Sequence, residues 1–429
     1  MSTIVVTKLP AVVVQPSETV TTAGKAILSM FGKPLITLPS TVLYVFDHPI
    51  HEPVETVRKG FSQALFHYYP LAGRLACDDN NDIHIDCTGE GVTFVAASAD
   101  CTIKELMIMC DRKDAVPVQE QLAEDYPMES CSHGDPLVMM QVTSFRCGGF
   151  VVGVTWNHGV ADGFGIGRFV QTVGELARGL PTPSVIPVLP LQSSVLQVVP
   201  PPCTLAVYQA VFQFPPSQLV GSNITIPAGL VHRIRFGGRR DGRPPSCTLF
   251  EAVAAVLWRC RTRVVMSDPE APAIIVFTAN SRKHMGIDDG YYGNCTTIHM
   301  AIEKSSVVAN ACIMDLVGLI NRAKEQIPEH FKNGGNDTTM AMLQAIEGFS
   351  GGRAGYENVL SITSWRNIGF EDADFGSGKT ARVMTYVRAL LVPHCVVCLP
   401  CKWEQGARVM SRCVTAQHAD ALLQEITTL

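Results

Sequence analysis

The sequence predicts an α/β protein, α+β in arrangement, built as two lobes. Three observations predict it. The chain has 429 residues, 47% of them apolar and 17% charged, which is long for one core and suited to two. Helical and strand periodicities alternate in both halves. Residues 181–202, PTPSVIPVLPLQSSVLQVVPPP, are proline-rich and uncharged. Proline fixes φ and cannot donate to a ladder, so this stretch reads as an extended connector. The predicted division is 1–180, a linker at 181–202, and 203–429.

The elements follow in order. MSTIVVTKLPAVVVQP is strand-like, its apolar run broken by Lys8, Pro10 and Pro16. VETVRKGFSQALFHYY sets Val57, Phe61, Ala64, Leu65 and Tyr68 on one helical face. Pro70 should end that helix and Gly73 should permit a turn. LVMMQVTSF and GGFVVGVTW are β-rich and flank RCGG, a hairpin signature. GFGIGRFVQTVGELARGL has Ile166, Phe169, Val170, Val173 and Leu176 at helical spacing. In the second half, TLFEAVAAVLWRCRT reads as a helix and IIVFTANSR as a strand. DDGYYGN reads as a turn, the stretch from about 307 to 348 as helical, and AQHADALLQEI as a last helix.

Composition narrows the function. The net charge of −5 disfavours wholesale nucleic-acid binding, while leaving room for a small anionic ligand at a local basic patch. The 15 cysteines are scattered, odd in number and mostly within apolar runs. No secretory signal is recognisable, so they read as reduced, buried hydrophobes of a cytoplasmic protein. CVVCLPC (Cys395, Cys398, Cys401) lacks the second pair a zinc site needs and continues a strand-like run, so no metal is expected. No apolar run is long enough to span a bilayer.

The stretch NHGVADG carries the candidate chemistry. His158 stands where the buried strand GGFVVGVTWN ends, and Asp162 stands just before a helix. Strand ends and their loops commonly carry catalytic side chains. The plain structural alternatives are a hydrogen-bonded core histidine and a helix-capping carboxylate. The same spacing recurs in HMGID (His284, Asp288), where no buried strand precedes the histidine, so it reads as a surface loop. GFGIG lacks the final glycine of a dinucleotide loop, because Arg168 occupies that position. DFG at Asp374 has no accompanying kinase motifs. With no G-x-S-x-G elbow and no obvious nucleophile, His158 is better suited to general-base work.

HGVADG, followed far downstream by DFGSGK, resembles the plant BAHD acyl-CoA-dependent acyltransferases, which carry HxxxD near mid-chain and DFGWG near the C-terminus. YYPLAGRL (68–75), QVTSFRCGGF (141–150), ELARG (175–179), FEAVAAVLWRCRT (250–262), NSR (280–282), GYYGN (290–294) and ITSW (362–365) agree in order. HMGID matches no family motif. The resemblance implies two chloramphenicol-acetyltransferase-like domains joined by a long crossover loop, with the active-site channel between them. It implies His158 as general base, acting without a covalent enzyme intermediate. It implies Trp365 as oxyanion donor, with core packing the alternative, and Thr363 beside the acceptor or CoA. Asp162 would pair with Arg282 and brace the turn. Asp374, Gly376 and Gly378 would be structural. Arg239, Arg240 and Arg243 are the candidates for the CoA phosphates, against a solvated loop as the alternative.

The implied partners are acyl-CoA as co-substrate and a small-molecule acceptor of plant specialised metabolism, with no permanently bound cofactor and a monomeric chain. The flanking strings look nearest to alcohol acyltransferases, which favours a hydroxyl over an amine. The donor stays open among aliphatic, benzoyl and hydroxycinnamoyl groups. The sequence departs from the family at Ser377, where a tryptophan is usual, at Thr380 in place of proline, and at HMGIDD before GYYGN. It also lacks the usual aspartate in ILSMFGK. Ser377 removes a large packing side chain, which puts local stability in question and keeps a catalytically weak, ligand- or partner-binding homologue as the second reading.

Overall fold

The computed structural model describes residues 4–20, 24–112, 115–127, 130–190, 219–237, 246–332, 356–386, 392–399 and 406–429. In chain order the strands are β1 (Val6–Lys8), β2 (Val12–Val14), β3 (Lys25–Ile27), β4 (Pro39–Phe46), β5 (Arg74–Cys77), β6 (Ile83–Asp86), β7 (Val92–Ala99) and β8 (Val138–Phe145). They continue as β9 (Phe150–Asn157), β10 (Ser222–Ile226), β11 (Pro272–Asn280), β12 (Thr296–Lys304), β13 (Val359–Ser364), β14 (Arg382–Met384), β15 (His394–Val397) and β16 (Ala407–Arg412). The helices are α1 (Pro53–His67), α2 (Ile103–Cys110), α3 (Val116–Glu120), α4 (Gly163–Ala177), α5 (Ala228–Phe236) and α6 (Leu249–Val265). After them come α7 (Arg282–Met285), α8 (Ser305–Asn310), α9 (Ile313–Glu325), α10 (Ile327–Lys332) and α11 (Ala416–Thr427).

The chain divides into two compact units. The first is Met1–Val199 with Ser281–Thr296 and Arg366–Arg388; the second is Pro200–Asn280 with Thr297–Trp365 and Ala389–Leu429. The first border, Val199/Pro200, falls within the connector predicted at 181–202, but two stretches of the C-terminal half also belong to the first unit. Composition marks where the backbone is an extended connector. It carries no information about which core a later stretch joins. Of the connector, 181–190 lies against the first unit: the Ser184 hydroxyl donates to Glu175 (2.6 Å) and the Val188 N–H to the Gly290 carbonyl (2.9 Å).

The first unit holds a seven-stranded sheet in the order β1-β7-β8-β9-β4-β14, with β2 also on β7, and a three-stranded sheet β3-β6-β5. Every residue of β9 is buried, as β-branched and aromatic residues on both faces of a central strand require. β8 and β9 form the expected hairpin, turning at Gly148 with φ +84°. The apolar face of α1 is buried at Val57, Phe61, Ala64 and Leu65 and packs on α4. At Gly60 the two helices approach so closely that a Cβ would lie 2.5 Å from the Val173 carbonyl oxygen.

Gly73 closes the 3-10 turn of residues 69–72, its N–H donating to the Pro70 carbonyl (3.0 Å), but it needs no positive φ to do so. Its φ is −91°, in extended backbone, and a Cβ there would lie 2.1 Å from the Asp86 carbonyl oxygen. The demand for glycine comes from a neighbouring strand. Helix α1 itself ends at His67, and Pro70 sits in the 3-10 turn that follows.

The second unit is a six-stranded sheet in the order β10-β16-β15-β13-β11-β12, parallel at β11–β13–β15 and antiparallel at β15–β16–β10. Helix α6 is its central element. Thr248 and Glu251 form a reciprocal capping box at its start, which satisfies two orphan donors. Its buried run Ala252–Trp258 lies in one apolar core with α5, α8, α9 and α11. The predicted helical stretch resolves into α8, α9 and α10, and residues beyond 332 lie outside the described ones. Cys395 and Cys398, on and just after β15, are buried, and Cys401 is outside the described residues. Among the described residues no helix is long and apolar enough to cross a membrane.

Gly60→Ala tests the α1–α4 packing. Alanine would gain about 1 kcal/mol of helix propensity, but it meets backbone, which cannot rotate away. A net loss of about 1–2 kcal/mol is expected, seen as a lower denaturant midpoint. An unchanged midpoint would mean that the helices part freely.

Candidate active site

Strand β9 delivers its last residue, Asn157, into a tight turn. The Asn157 side chain donates to the Ile36 carbonyl (2.6 Å) and accepts the Gly159 N–H (2.8 Å). The His158 N–H donates to the Leu38 carbonyl (2.8 Å). Glycine is needed at 159, where a Cβ would lie 2.8 Å from the Ile36 Cα. His158 is therefore held on both sides by main chain. Its ring centroid is 6.2 Å from that of Trp156, and its Nδ1 is buried with no hydrogen-bond partner among the described residues. Burial pushes the His158 pKa below 6.5, outweighing its own carbonyl, Asp162 and Asn294, which favour the charged ring. The imidazole is neutral at pH 7.

Asp162 is the N-cap of α4, accepting the Gly165 N–H at 2.9 Å. The structure also brings Arg282 to it, 120 residues away, in a bidentate pair with both distances 2.9 Å. The Cys295 N–H (2.9 Å) and the Thr296 hydroxyl (3.2 Å) complete the set. Arg282 also donates to the carbonyls of Tyr291 (3.3 Å) and Gly293 (2.7 Å) and stacks 4.5 Å from the Phe164 ring centroid. Both partners are buried, at 2% and 3% exposure. Burial alone would raise the Asp162 pKa; the Arg282 charge and the convergent donors outweigh it and hold the group below 3.8. Its stabilisation is therefore complete above the ordinary carboxylate value and is lost as pH falls below it.

Residues not identified by sequence reasoning complete the site. Asn294 donates to the carbonyls of His158 (2.8 Å) and Gly159 (3.0 Å). Its only sequence signal was its place at the end of GYYGN. The glycines of GFGIG serve packing: a Cβ at Gly165 would lie 1.8 Å from the Tyr292 carbonyl oxygen. His284 of the decoy HMGID is exposed on the single turn of α7, a helical turn where a loop was expected.

Asp374, Gly376, Ser377 and Gly378 belong to the first unit. The Asp374 carboxylate accepts the N–H of Gly376 (2.8 Å) and Gly378 (2.9 Å) and pairs with Arg178 (3.3 Å). Phe375 packs edge-on against Phe46, with centroids 5.4 Å apart. Ser377 leaves no unsatisfied hydroxyl, because it donates to the His48 carbonyl at 2.6 Å. That bond ties the DFGSG loop to the main chain at residue 48.

Thr363 and Trp365 belong to the second unit, at and just beyond the end of β13. The Thr363 hydroxyl lies 3.3 Å from His394 Nε2, and the Trp365 backbone N–H donates to the Val397 carbonyl (3.0 Å). Burial pushes the His394 pKa down to about 4. Arg239, Arg240 and Arg243 lie outside the described residues.

Comparison with known proteins gives this geometry its context. The family model described as "Transferase family" matches residues 4–416. The chain belongs to that family, the BAHD acyltransferases. This acyltransferase is 54% identical over 440 residues to rice (Oryza sativa subsp. japonica) "Acyl transferase 15", covering 99% of each chain. It is 31% identical to benzyl alcohol O-benzoyltransferase of Petunia hybrida, over 76% of this chain and 71% of the relative. The crystal structure of F. sporotrichioides TRI101 complexed with coenzyme A and T-2 shares the fold, with TM-score 0.69 and 16% identity over 95% and 99% of the two chains.

In the acyltransferase, Asp162→Asn would leave a buried guanidinium without its counter-charge and set an amide N–H against other donors. A loss of about 3–5 kcal/mol is expected, with activity and melting temperature falling together. Loss of rate at an unchanged melting temperature would instead assign Asp162 a direct chemical part.

Proposed function

We propose that this acyltransferase moves an acyl group from coenzyme A to a hydroxyl of a small molecule, with His158 as general base. The observation that carries the reading is a neutral imidazole kept so by burial and fixed by main chain at the end of a strand. Nδ1 is the buried nitrogen, which leaves Nε2 for the proton transfer. Nε2 takes the acceptor hydroxyl's proton as that oxygen attacks the thioester carbonyl carbon. The tetrahedral oxyanion then collapses, the C–S bond breaks, and the CoA thiolate takes the proton back from the imidazolium. Acyl ester and free CoA thiol leave, and no bond to the enzyme forms. Trp365 is assigned to the oxyanion and Thr363 to the substrate side, as the family resemblance implies.

The complex of TRI101 with coenzyme A supports the donor class. The name of the Petunia relative, an O-benzoyltransferase of an alcohol, supports a hydroxyl acceptor and places a benzoyl donor among those to test. Asp162 and Arg282 act through the turn that carries His158.

A panel of acyl-CoA donors against alcohols and amines, read by product mass, tests the donor and acceptor classes. An ester from at least one alcohol is expected, and amide products alone would overturn the hydroxyl assignment. With that pair, His158→Ala is expected to lower kcat by about 100- to 10,000-fold while leaving CoA binding and the melting temperature intact; full turnover would remove the base role. Because the His158 pKa lies below 6.5, kcat/KM is expected to stay flat from pH 7 downward and fall only on an acid limb below 6.5. A limb centred above that value would contradict a base neutralised by burial.

A further inference from the structure

We propose that His394 is a positioning residue that sets the Thr363 hydroxyl as a hydrogen-bond donor to a neutral oxygen of the acceptor molecule, and so selects among acceptors. This rests on the reading that puts Thr363 on the substrate side. In the parallel pair β13–β15, Ser361 stands opposite His394 and Thr363 opposite Val396. The intervening Ile362 and Cys395 lie in the α6 core. Alternation therefore turns Ser361, Thr363 and His394 to the other face of the sheet. Thr363 is near the C-terminal end of β13, and open α/β sheets hold their ligands outside the carboxyl ends of parallel strands.

The imidazole spans two hydroxyls. Its Nδ1 is 3.1 Å from Ser361 Oγ and its Nε2 is 3.3 Å from Thr363 Oγ1. Burial pushes its pKa down to about 4, so at pH 7 one ring nitrogen donates and the other accepts. A hydroxyl has one proton and two lone pairs. The hydroxyl that accepts from the ring keeps its own proton, and the other gives its proton to the ring. Ser361 lies two residues deeper in β13, between His394 and Val276 of the flanking strands. Leaving a donor unpaired there costs more than leaving a lone pair spare. With the ring proton on Nε2, Ser361 donates to Nδ1 and Nε2 donates to Thr363. The proton left over is then on Thr363, near the strand end. The reverse tautomer would leave the Ser361 proton unpaired inside the sheet and turn the Thr363 hydroxyl back to the ring. A neutral hydroxyl donor suits a carbonyl or ether oxygen, whereas a phosphate calls for guanidinium or ammonium.

The test is steady-state kinetics on alcohols that the enzyme acylates and that carry a carbonyl or ether oxygen, each beside its analogue with a methylene there. Thr363→Val is expected to lower kcat/KM for a preferred oxygen-bearing alcohol by about three- to tenfold, through the KM of that alcohol and not that of acyl-CoA. His394→Asn, whose short amide reaches only the Nδ1 position, should give the same loss, and no further loss when made in the Thr363→Val enzyme. His394→Gln sets an amide nitrogen where Nε2 stands, so it should keep the preference. Ser361→Ala frees the tautomer and should lose part of it. A wild type indifferent to the oxygen in every pair overturns the proposal. So does His394→Asn acting in full on Thr363→Val, His394→Gln as damaging as His394→Asn, or a loss that falls on acyl-CoA. If neither His394 variant folds, Ser361→Ala decides: its loss should vanish in the Thr363→Val enzyme, and an undiminished loss overturns the proposal. Thr363→Val without effect removes the substrate-side reading and this proposal with it, whereas a Thr363 effect with both His394 variants silent overturns this proposal alone.

Discussion

The ion pair between Asp162 and Arg282 is the constraint on which the site rests. Two charges taken out of water cost several kcal/mol each, and their attraction offsets this only with good geometry and every remaining lone pair satisfied. Here that condition is met by five donors on one carboxylate. A pair so demanding tolerates one arrangement. It fixes where α4 begins and how the stretch from Ser281 to Thr296 lies against the 157–162 turn. The aim of His158 follows from those positions.

The two motif residues have pKa values shifted in the same direction for opposite reasons. His158 is lowered because burial penalises its charge more than its neighbours reward it. Asp162 is lowered because its neighbours reward its charge more than burial penalises it. The same buried turn thus holds a neutral imidazole beside a carboxylate kept charged. The difference lies in partners: Asp162 receives charge-assisted donors on both oxygens, while the groups that favour a charged His158 ring are its own carbonyl, the Asn294 amide and an aspartate already committed to Arg282. A second positive charge facing the ring would have made it a poorer base, and the guanidinium is kept from that by its bidentate geometry.

What the sequence made legible was what depends on local order. His158 at a strand end and Asp162 at a helix start could be placed because alternation stops and helical spacing starts within a few residues. Arg282 is 120 residues from its partner, and only the family strings pointed to it. Asn294 stood in a quoted string, yet nothing in GYYGN says that its amide reaches back to the His158 carbonyl. The turn at Gly73 was legible, but the reason for glycine there was not: it comes from Asp86 on a neighbouring strand, and a steric demand across a sheet leaves no local trace. The proline-rich stretch contains one border between the units, at Val199/Pro200, but the later borders left no such mark, since contact partners are chosen by packing far along the chain.

The membership of 281–296 and 366–388 in the first unit has a consequence for how the protein is made. A nascent chain that has emerged only as far as the proline-rich stretch already contains β9, His158 and Asp162. It still lacks Arg282, Asn294, the DFGSG loop and strand β14. Completing the fold of the first unit must therefore wait until the ribosome has passed residue 388, long after its earliest strands are exposed. Until Arg282 has emerged the Asp162 carboxylate lacks its counter-ion, and until Met384 has emerged β4 presents an open edge. The interval between making the His158 turn and making its support is the stretch of synthesis most exposed to misassembly, and it is set by chain order.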